Sequence, residues 1–457
     1  MMHSSSTKLN FLLVLLVGVL TFIGAWGLVH YEADFRYFLF LAILLVLIIT
    51  LALGKQALWV GFIAWIWMFI LGYRTIHVTP YLSIHPLMVL LLVLFILLLF
   101  TLKLEPETHL KLPKIIGIFA IFWIWGFIPG VARGTPWSQM LSDALNFFFI
   151  IPLFLIILYL SKKDGFWKMS TMTFLGAGTL IALLGILEFY IPSFRNLLPG
   201  FIQTNIEGVT AVSSDFVRAS FSYFGATPAV IICALCLPMV WLVPQYYRGA
   251  KGVVLTLIVT AILVTGIYIS GTRAAWLIAF VTSILIAYFA LKLLGLGVAA
   301  GFWAIVASIL PDNAMALVNS LLTPIISNEI TDTSLLVRYN RQVNALNLAI
   351  QHPFGVGWAG SGWVHGDFTQ VTANLGFLGG IVFLVWYLYT LIRGWKVYRQ
   401  NPQDKIIQAL LTGFVACGII LATEGVEVLT QFILPVWFVW GLLEAYIQQK
   451  STASINS

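Results

Sequence analysis

PLMVLLLVLFILLLFTL, residues 86–102, decides the fold. The run carries no charge, and its one polar side chain is the hydroxyl of Thr101. A bilayer core of about 30 Å takes about 20 apolar residues as a helix. Inside such a core the backbone must satisfy its own hydrogen bonds, so only helices or a closed barrel can cross. Barrel strands would alternate apolar with polar every second residue. This run does not alternate, so it predicts a helix.

The rest of the chain repeats the pattern. Of 457 residues, 61% are hydrophobic and only 9% charged, against about 25% charged in a soluble domain. Moving toward the N-terminus, candidate spans cover Leu9–Val29, Tyr37–Leu53 and Ala57–Gly72. Moving the other way they cover Ile115–Val131, Ala144–Leu160, Met172–Ile191, Thr227–Tyr246, Val253–Ser270, Ala274–Leu291, Leu293–Leu310, Leu375–Ile392, Ile407–Thr423 and Val428–Ile447. The expectation is an all-α polytopic membrane protein with twelve to fourteen transmembrane helices. Residues 1–310 hold eleven of them and an outer connection over 192–226. Residues 311–374 form a large extracytoplasmic loop, and residues 375–457 hold the last three spans and a cytoplasmic tail. The first span begins behind a single Lys and lacks a small-residue cleavage site, so it reads as a retained helix.

Basic residues set the orientation. With the N-terminus in the cytoplasm, one face collects 16 Lys and Arg, including every Lys, and the other collects 8 Arg. That assignment needs an even number of spans. The net charge of +7 is then mostly topology. No basic stretch interleaved with aromatics marks a nucleic-acid surface. Cys233, Cys236 and Cys417 all fall inside spans and make neither a disulfide framework nor a metal set. No phosphate-binding loop or dinucleotide fingerprint is present. An enzyme of this composition needs a substrate that arrives already activated, and no cofactor is expected.

The outer face carries the chemistry. Its two long connections run from about Pro192 to Ala226 and from Pro311 to about Asn374. Long loops among short ones are more often functional. Within the second, LLVRYNRQVNALNLAI (residues 335–350) places Leu336, Val343, Leu346 and Ile350 at helical spacing. Asp332 and Ser334 read as caps, and His352-Pro353 ends the helix. Arg338 and Arg341 lie three apart and share a face. Arg273, in Ser270-Gly271-Thr272-Arg273, sits between two apolar spans with no spare loop, so its charge is held near membrane depth. Such a charge usually faces a cavity and carries function. A guanidinium matches phosphate oxygens with a planar two-donor fork. Arg218 stands eight residues ahead of the next span. His365 lies in the glycine-rich segment GVGWAGSGWVHGDF, and a His near its reference pKa of about 6.5 can accept a proton at neutral pH.

From Arg218 to Gly380 the chain resembles the O-antigen ligase and polymerase family of bacterial membrane glycosyltransferases. Three pieces carry the resemblance. The first is Arg218-Ala219-Ser220-Phe221 leading to Ala226-Thr227-Pro228. The second is Ser270-Gly271-Thr272-Arg273-Ala274-Ala275-Trp276. The third combines Arg338 and Arg341, His352-Pro353-Phe354-Gly355-Val356-Gly357-Trp358, His365 and Leu375-Gly376-Phe377-Leu378-Gly379. The chain departs from the family where Gly366 follows the His and where Asn374 precedes the Leu-Gly pair.

The resemblance implies a GT-C-type architecture in the bacterial cytoplasmic (inner) membrane, with both termini cytoplasmic and the site facing the periplasm. It implies an undecaprenyl-diphosphate-linked glycan as donor and a glycan, lipid A-core or cell-wall hydroxyl as acceptor, without a metal. Arg218, Arg273 and one of Arg338 and Arg341 would hold the pyrophosphate, and His365 would be the catalytic base of an inverting transfer. A polymerase joining lipid-linked repeats is the nearer alternative. A small-solute transporter is the more distant one, although no internal repeat supports it.

Overall fold

The computed structural model describes residues 56–71, 76–79, 82–84, 86–105, 110, 112–191, 193–194, 226–309, 333–362, 364–424 and 430–456. The expected spans Leu9–Val29 and Tyr37–Leu53, residues 195–225 with Arg218, and residues 310–332 lie outside the described residues.

Helix α1 (Ala57–Trp67) runs into a 3-10 turn at Met68–Leu71. An antiparallel hairpin follows, β1 (Ile76–Thr79) and β2 (Leu82–Ile84), pairing Ile76 with Ile84. This hairpin departs from the all-helical expectation. It fills the short gap between two apolar runs, where no helical period could be read. The opening sequence then forms α2 (Pro86–Leu104).

Helices α3 (Lys114–Trp125) and α4 (Phe127–Ala132) are one apolar segment broken at Gly126. Pro129 lacks the N–H that would bond the Trp125 carbonyl, which accounts for the break. The same device at Pro152 separates α5 (Trp137–Phe148) from α6 (Ile150–Leu160). Next come α7 (Phe166–Tyr190), α8 (Ala226–Val240), the single turn α9 (Val243–Tyr246) and α10 (Ala250–Ser270). Helices α11 (Arg273–Leu291) and α12 (Leu293–Ile309) follow. The loop helix is α13 (Thr333–Gln351). The chain closes with α14 (Asp367–Gln400), α15 (Lys405–Thr423) and α16 (Thr430–Asn456).

Among the described residues, eight helical segments are long and apolar enough to cross a membrane. Their surfaces agree: Ile121, Leu257 and Ile305 are each more than 60% exposed, an apolar exterior that water would not tolerate over such an area. This is the build of a polytopic membrane protein. Helix α15 is central, with 67% of its apolar window buried, against 22% for the α3–α4 segment at the periphery. Trp386, Trp437 and Trp440 are fully buried at the junction of α14 and α16, with Trp386 and Trp440 rings 4.6 Å apart.

Contacts at the helix ends sort the charges. Lys292 after α11 donates to the Tyr398 hydroxyl of α14 at 2.6 Å. Trp241 after α8 donates to Gln408 near the start of α15 at 2.7 Å. Lys450 of α16 pairs with Asp404 before α15 at 3.2 Å, and Trp167 of α7 donates to Gln449 of α16 at 3.0 Å. Tyr159 of α6 donates to Glu105 beyond α2 at 3.0 Å. One end of the bundle therefore gathers Lys103, Lys163, Lys168, Lys292, Lys405 and Lys450. At the other end meet the start of α11, the end of α15, α13 and the start of α14. These are called the lysine end and the histidine end below.

Candidate functional site

The histidine end is built around a break. Helix α14 changes direction at Gly376, whose φ of 79° and ψ of 174° are open only to glycine. It starts at Asp367, eight residues ahead of the expected boundary at Leu375. The expected span is the part beyond the break. The signal for the earlier start is the spacing of Asp367, Gln370 and Asn374, all buried on one face.

That polar face holds the glycine-rich segment. Gln370 Oε1 accepts from the Val364 amide at 3.3 Å, and Asn374 Oδ1 accepts from the Ser361 amide at 3.2 Å. The Val356 and Gly357 amides donate to the carbonyls of Ala373 and Asn374, at 3.0 and 2.9 Å. Phe377 beyond the break donates to the Pro353 carbonyl at 3.1 Å, so the segment replaces the intrahelical bonds that Gly376 forfeits. Asp143 of α5 takes the Ala359 amide. On the far side Trp358 donates from its amide to Gly126 at 3.0 Å and from its indole to Trp123 at 2.8 Å. Gly357 packs so tightly there that a Cβ would lie 2.1 Å from the Gly130 nitrogen. The segment is therefore a fixed platform that carries His365 at its end.

Helix α13 closes over this platform. Ala345 packs against Val364 and Ala373, and Ala349 one turn on is fully buried. The stripe expected from sequence faces the other way: Leu336, Leu346 and Ile350 are 40%, 41% and 65% exposed. Small alanines permit the close approach, which leaves the larger apolar side chains outside. The inward side carries the arginines. Arg338 Nη1 bonds the Glu424 carboxylate at 2.7 Å and the Thr423 carbonyl at 3.2 Å, tying α13 to the end of α15. Arg341 Nη1 lies 3.4 Å from His365 Nε2. Gln342 bridges the carbonyls of His365 and Ala422.

Geometry thus separates the two arginines that sequence left equivalent: Arg341 faces His365, and Arg338 is a tether whose charge still reaches the site. A guanidinium can only donate, so Nε2 offers its lone pair to Arg341 and the ring proton sits on Nδ1. The contact is long for a hydrogen bond. Burial of the ring, reinforced by the charges of Arg338 and Arg341, pushes His365 down to about 4 from 6.5. The imidazole is neutral at physiological pH.

Arg273 stands at the first turn of α11, at the same end of the bundle. Arg218 lies outside the described residues. Sequence reasoning missed Gln342 and the Glu424 partner of Arg338. Gln342 is four residues from Arg338 and so on its helix face, a signal that was available. Glu424 is distant in sequence and gave none. A second pair, Arg133 Nη2 and His352 Nε2 at 3.3 Å, joins the α4–α5 turn to the end of α13. Among the described residues no group of His, Cys, Asp and Glu could hold a metal ion. No family model and no curated protein matches the chain.

Proposed function

We propose that the protein is a membrane glycosyltransferase of the O-antigen ligase type. It would move a glycan from a polyprenyl-diphosphate carrier to an acceptor hydroxyl at the histidine end, taken as the outer face because the lysines gather at the other. The observation that carries the reading is the neutral His365 ring held 3.4 Å from Arg341, with Arg338 alongside. A base and a cationic cradle for phosphate are what such a transfer needs.

The bond changes are few. The acceptor oxygen attacks the anomeric carbon, and the bond from that carbon to the diphosphate oxygen breaks. The diphosphate leaves on its lipid, and the hydroxyl proton passes to His365 Nε2. One displacement inverts the anomeric centre. Arg341 would turn from His365 to the diphosphate as the donor binds. That motion exposes the Nε2 lone pair and places positive charge where negative charge develops, usually the largest catalytic contribution. Arg273, and Arg218 ahead of α8, would add donors to the same diphosphate. A GT-C-type ancestry belongs to this proposal.

The test is transfer by purified protein in detergent, supplied with lipid-linked glycan and followed by gel shift of the acceptor. His365→Ala and Arg341→Ala are expected to lose transfer, and normal transfer by both would overturn the mechanism. A ladder on lipid-linked material would assign the polymerase variant of the same chemistry; a single shift of a lipid A-core or cell-wall acceptor would assign the ligase. Broken helices also occur in transporters, but the break in α14 is occupied by residues 353–355, which weighs against a solute site there.

A further inference from the structure

The lysine end carries a second site, remote from His365. Helices α11 and α14 both pack on α15 and leave a cavity of about 510 Å³ between them. That volume falls within the roughly 300–1,000 Å³ of small-molecule sites. Leu411 and Val415 of α15 form its floor, Leu285 and Phe289 one wall, and Leu391, Ile392 and Trp395 the other. The Phe289 ring packs on Trp395 across the slot, and behind it on Tyr398, with centroids 4.7 Å apart. Lys396 and Arg399 stand at the mouth, both exposed. Lys292 lies outside this lining, held on the Tyr398 hydroxyl at 2.6 Å.

No carboxylate lines the cavity. Glu444 and Asp404 of this end are engaged elsewhere: Glu444 holds Arg393 at 2.9 Å and Asp404 holds Lys450 at 3.2 Å. The lining is thus an apolar slot with uncompensated positive charge at one lip. A solute would find no polar group along the walls. A zwitterionic lipid would bring a cation of its own to the lip. A lipid with a net negative headgroup matches both parts, and basic pockets between membrane helices are known receptors for such headgroups.

We propose that this groove binds one anionic phospholipid, an acyl chain lying along Leu411 and Val415 and the phosphate resting on Lys396 and Arg399. The phosphodiester would take hydrogen bonds from the guanidinium fork of Arg399 and the ammonium of Lys396. The site is independent of the glycosyltransferase reading, since it lies at the opposite end of α14 from His365.

The experiment is native mass spectrometry of the full chain in detergent. Phosphatidylglycerol and phosphatidylcholine of identical chains are added in equal amounts. Wild type is expected to retain a single phosphatidylglycerol in preference to phosphatidylcholine by roughly tenfold or more, given two cations at the lip. Lys396→Gln with Arg399→Gln should bring that ratio near one, while Lys396→Arg with Arg399→Lys should keep it. These positions are exposed, so the fold is not at stake, and elution as a single peak checks that. Equal retention of the two lipids by wild type, or an unchanged ratio in the Gln pair, would overturn the proposal.

Discussion

Two arginine clusters lie one toward each end of α14, and what their arginines meet differs. Toward the lysine end, Glu444 is fully buried. It accepts from Thr390 Oγ1 at 2.5 Å and from Arg393 at 2.9 Å, and Thr390 in turn accepts from the Trp440 indole at 3.3 Å. One cation meets one anion, and each oxygen has a donor. At the histidine end, Arg338 meets the Glu424 carboxylate, while Arg341 lies beside the neutral ring of His365. The first cluster is closed and neutral, as a buried pair must be to survive in a low-dielectric interior. The second places a guanidinium against a neutral imidazole, where the proposed diphosphate would arrive. The contrast separates an arginine that fastens helices through a carboxylate from one that faces a histidine ring.

The sharpest way to break the contrast is to remove one member from each cluster. His365→Ala should lower transfer by about 10²–10⁴-fold, the usual worth of general-base help, and leave the thermal midpoint in detergent nearly unchanged. Glu444→Ala should do the reverse. Leaving Arg393 with its anion removed costs about 3–5 kcal/mol, read as a large fall in the thermal midpoint. The paired change Glu444→Leu with Arg393→Met should recover most of it, because an apolar pair of similar volume costs little. A Glu444→Ala protein that melts like wild type would show that the closed cluster is not structural.

A smaller effect is expected at Gly376. Alanine there must hold φ near 79°, and its Cβ would lie 2.5 Å from the Pro353 carbonyl oxygen. Backbone strain of this kind costs about 1–3 kcal/mol. Relief would come from undocking residues 353–357, so Gly376→Ala should expose that segment to limited proteolysis and move His365 from Arg341. Cleavage at the wild-type rate would mean that the break does not hold the platform.

Legibility followed the range of the interaction. Each apolar run from Ala57 onward became a helix, because twenty residues without charge have no other way to satisfy their backbone. The gathering of the lysines at one end was also readable, since it depends only on counting alternate connections. The loop helix was readable as a helix but not as to which way it faces. Its leucines give the strongest period, yet Ala345 makes the contact and Ala349 is also buried. Burial here depends on how closely α14 approaches, which a local pattern does not encode. Arg338 and Arg341 looked equivalent for the same reason. Their difference comes from Glu424, more than eighty residues away. The hairpin at residues 76–84 was not anticipated, because three residue pairs leave too short a period to read.

The smallest effect is the most direct probe of the contact between Arg341 and His365. His365 titrates near 4, depressed first by burial and then by Arg338 and Arg341. In the unfolded chain the same ring titrates near 6.5. Between those values the unfolded state binds more protons, so stability rises with pH through this window and the contribution is complete above about 6.5. It is lost as the pH falls toward 4. Arg341→Gln removes a positive charge 3.4 Å from the ring, so the midpoint should move upward. It should remain below 6.5, because burial and Arg338 persist. The acid-side loss of stability should then become shallower. NMR titration of ring-labelled histidine, assigned with His365→Ala, reads the shift. A non-hydrolysable diphosphate mimic should push the wild-type midpoint in the same direction by neutralising the guanidinium, and should do less in Arg341→Gln. A midpoint that ignores both the substitution and the mimic would mean that Arg341 does not face His365 in solution, and the distinction between the two arginine clusters would fall with it.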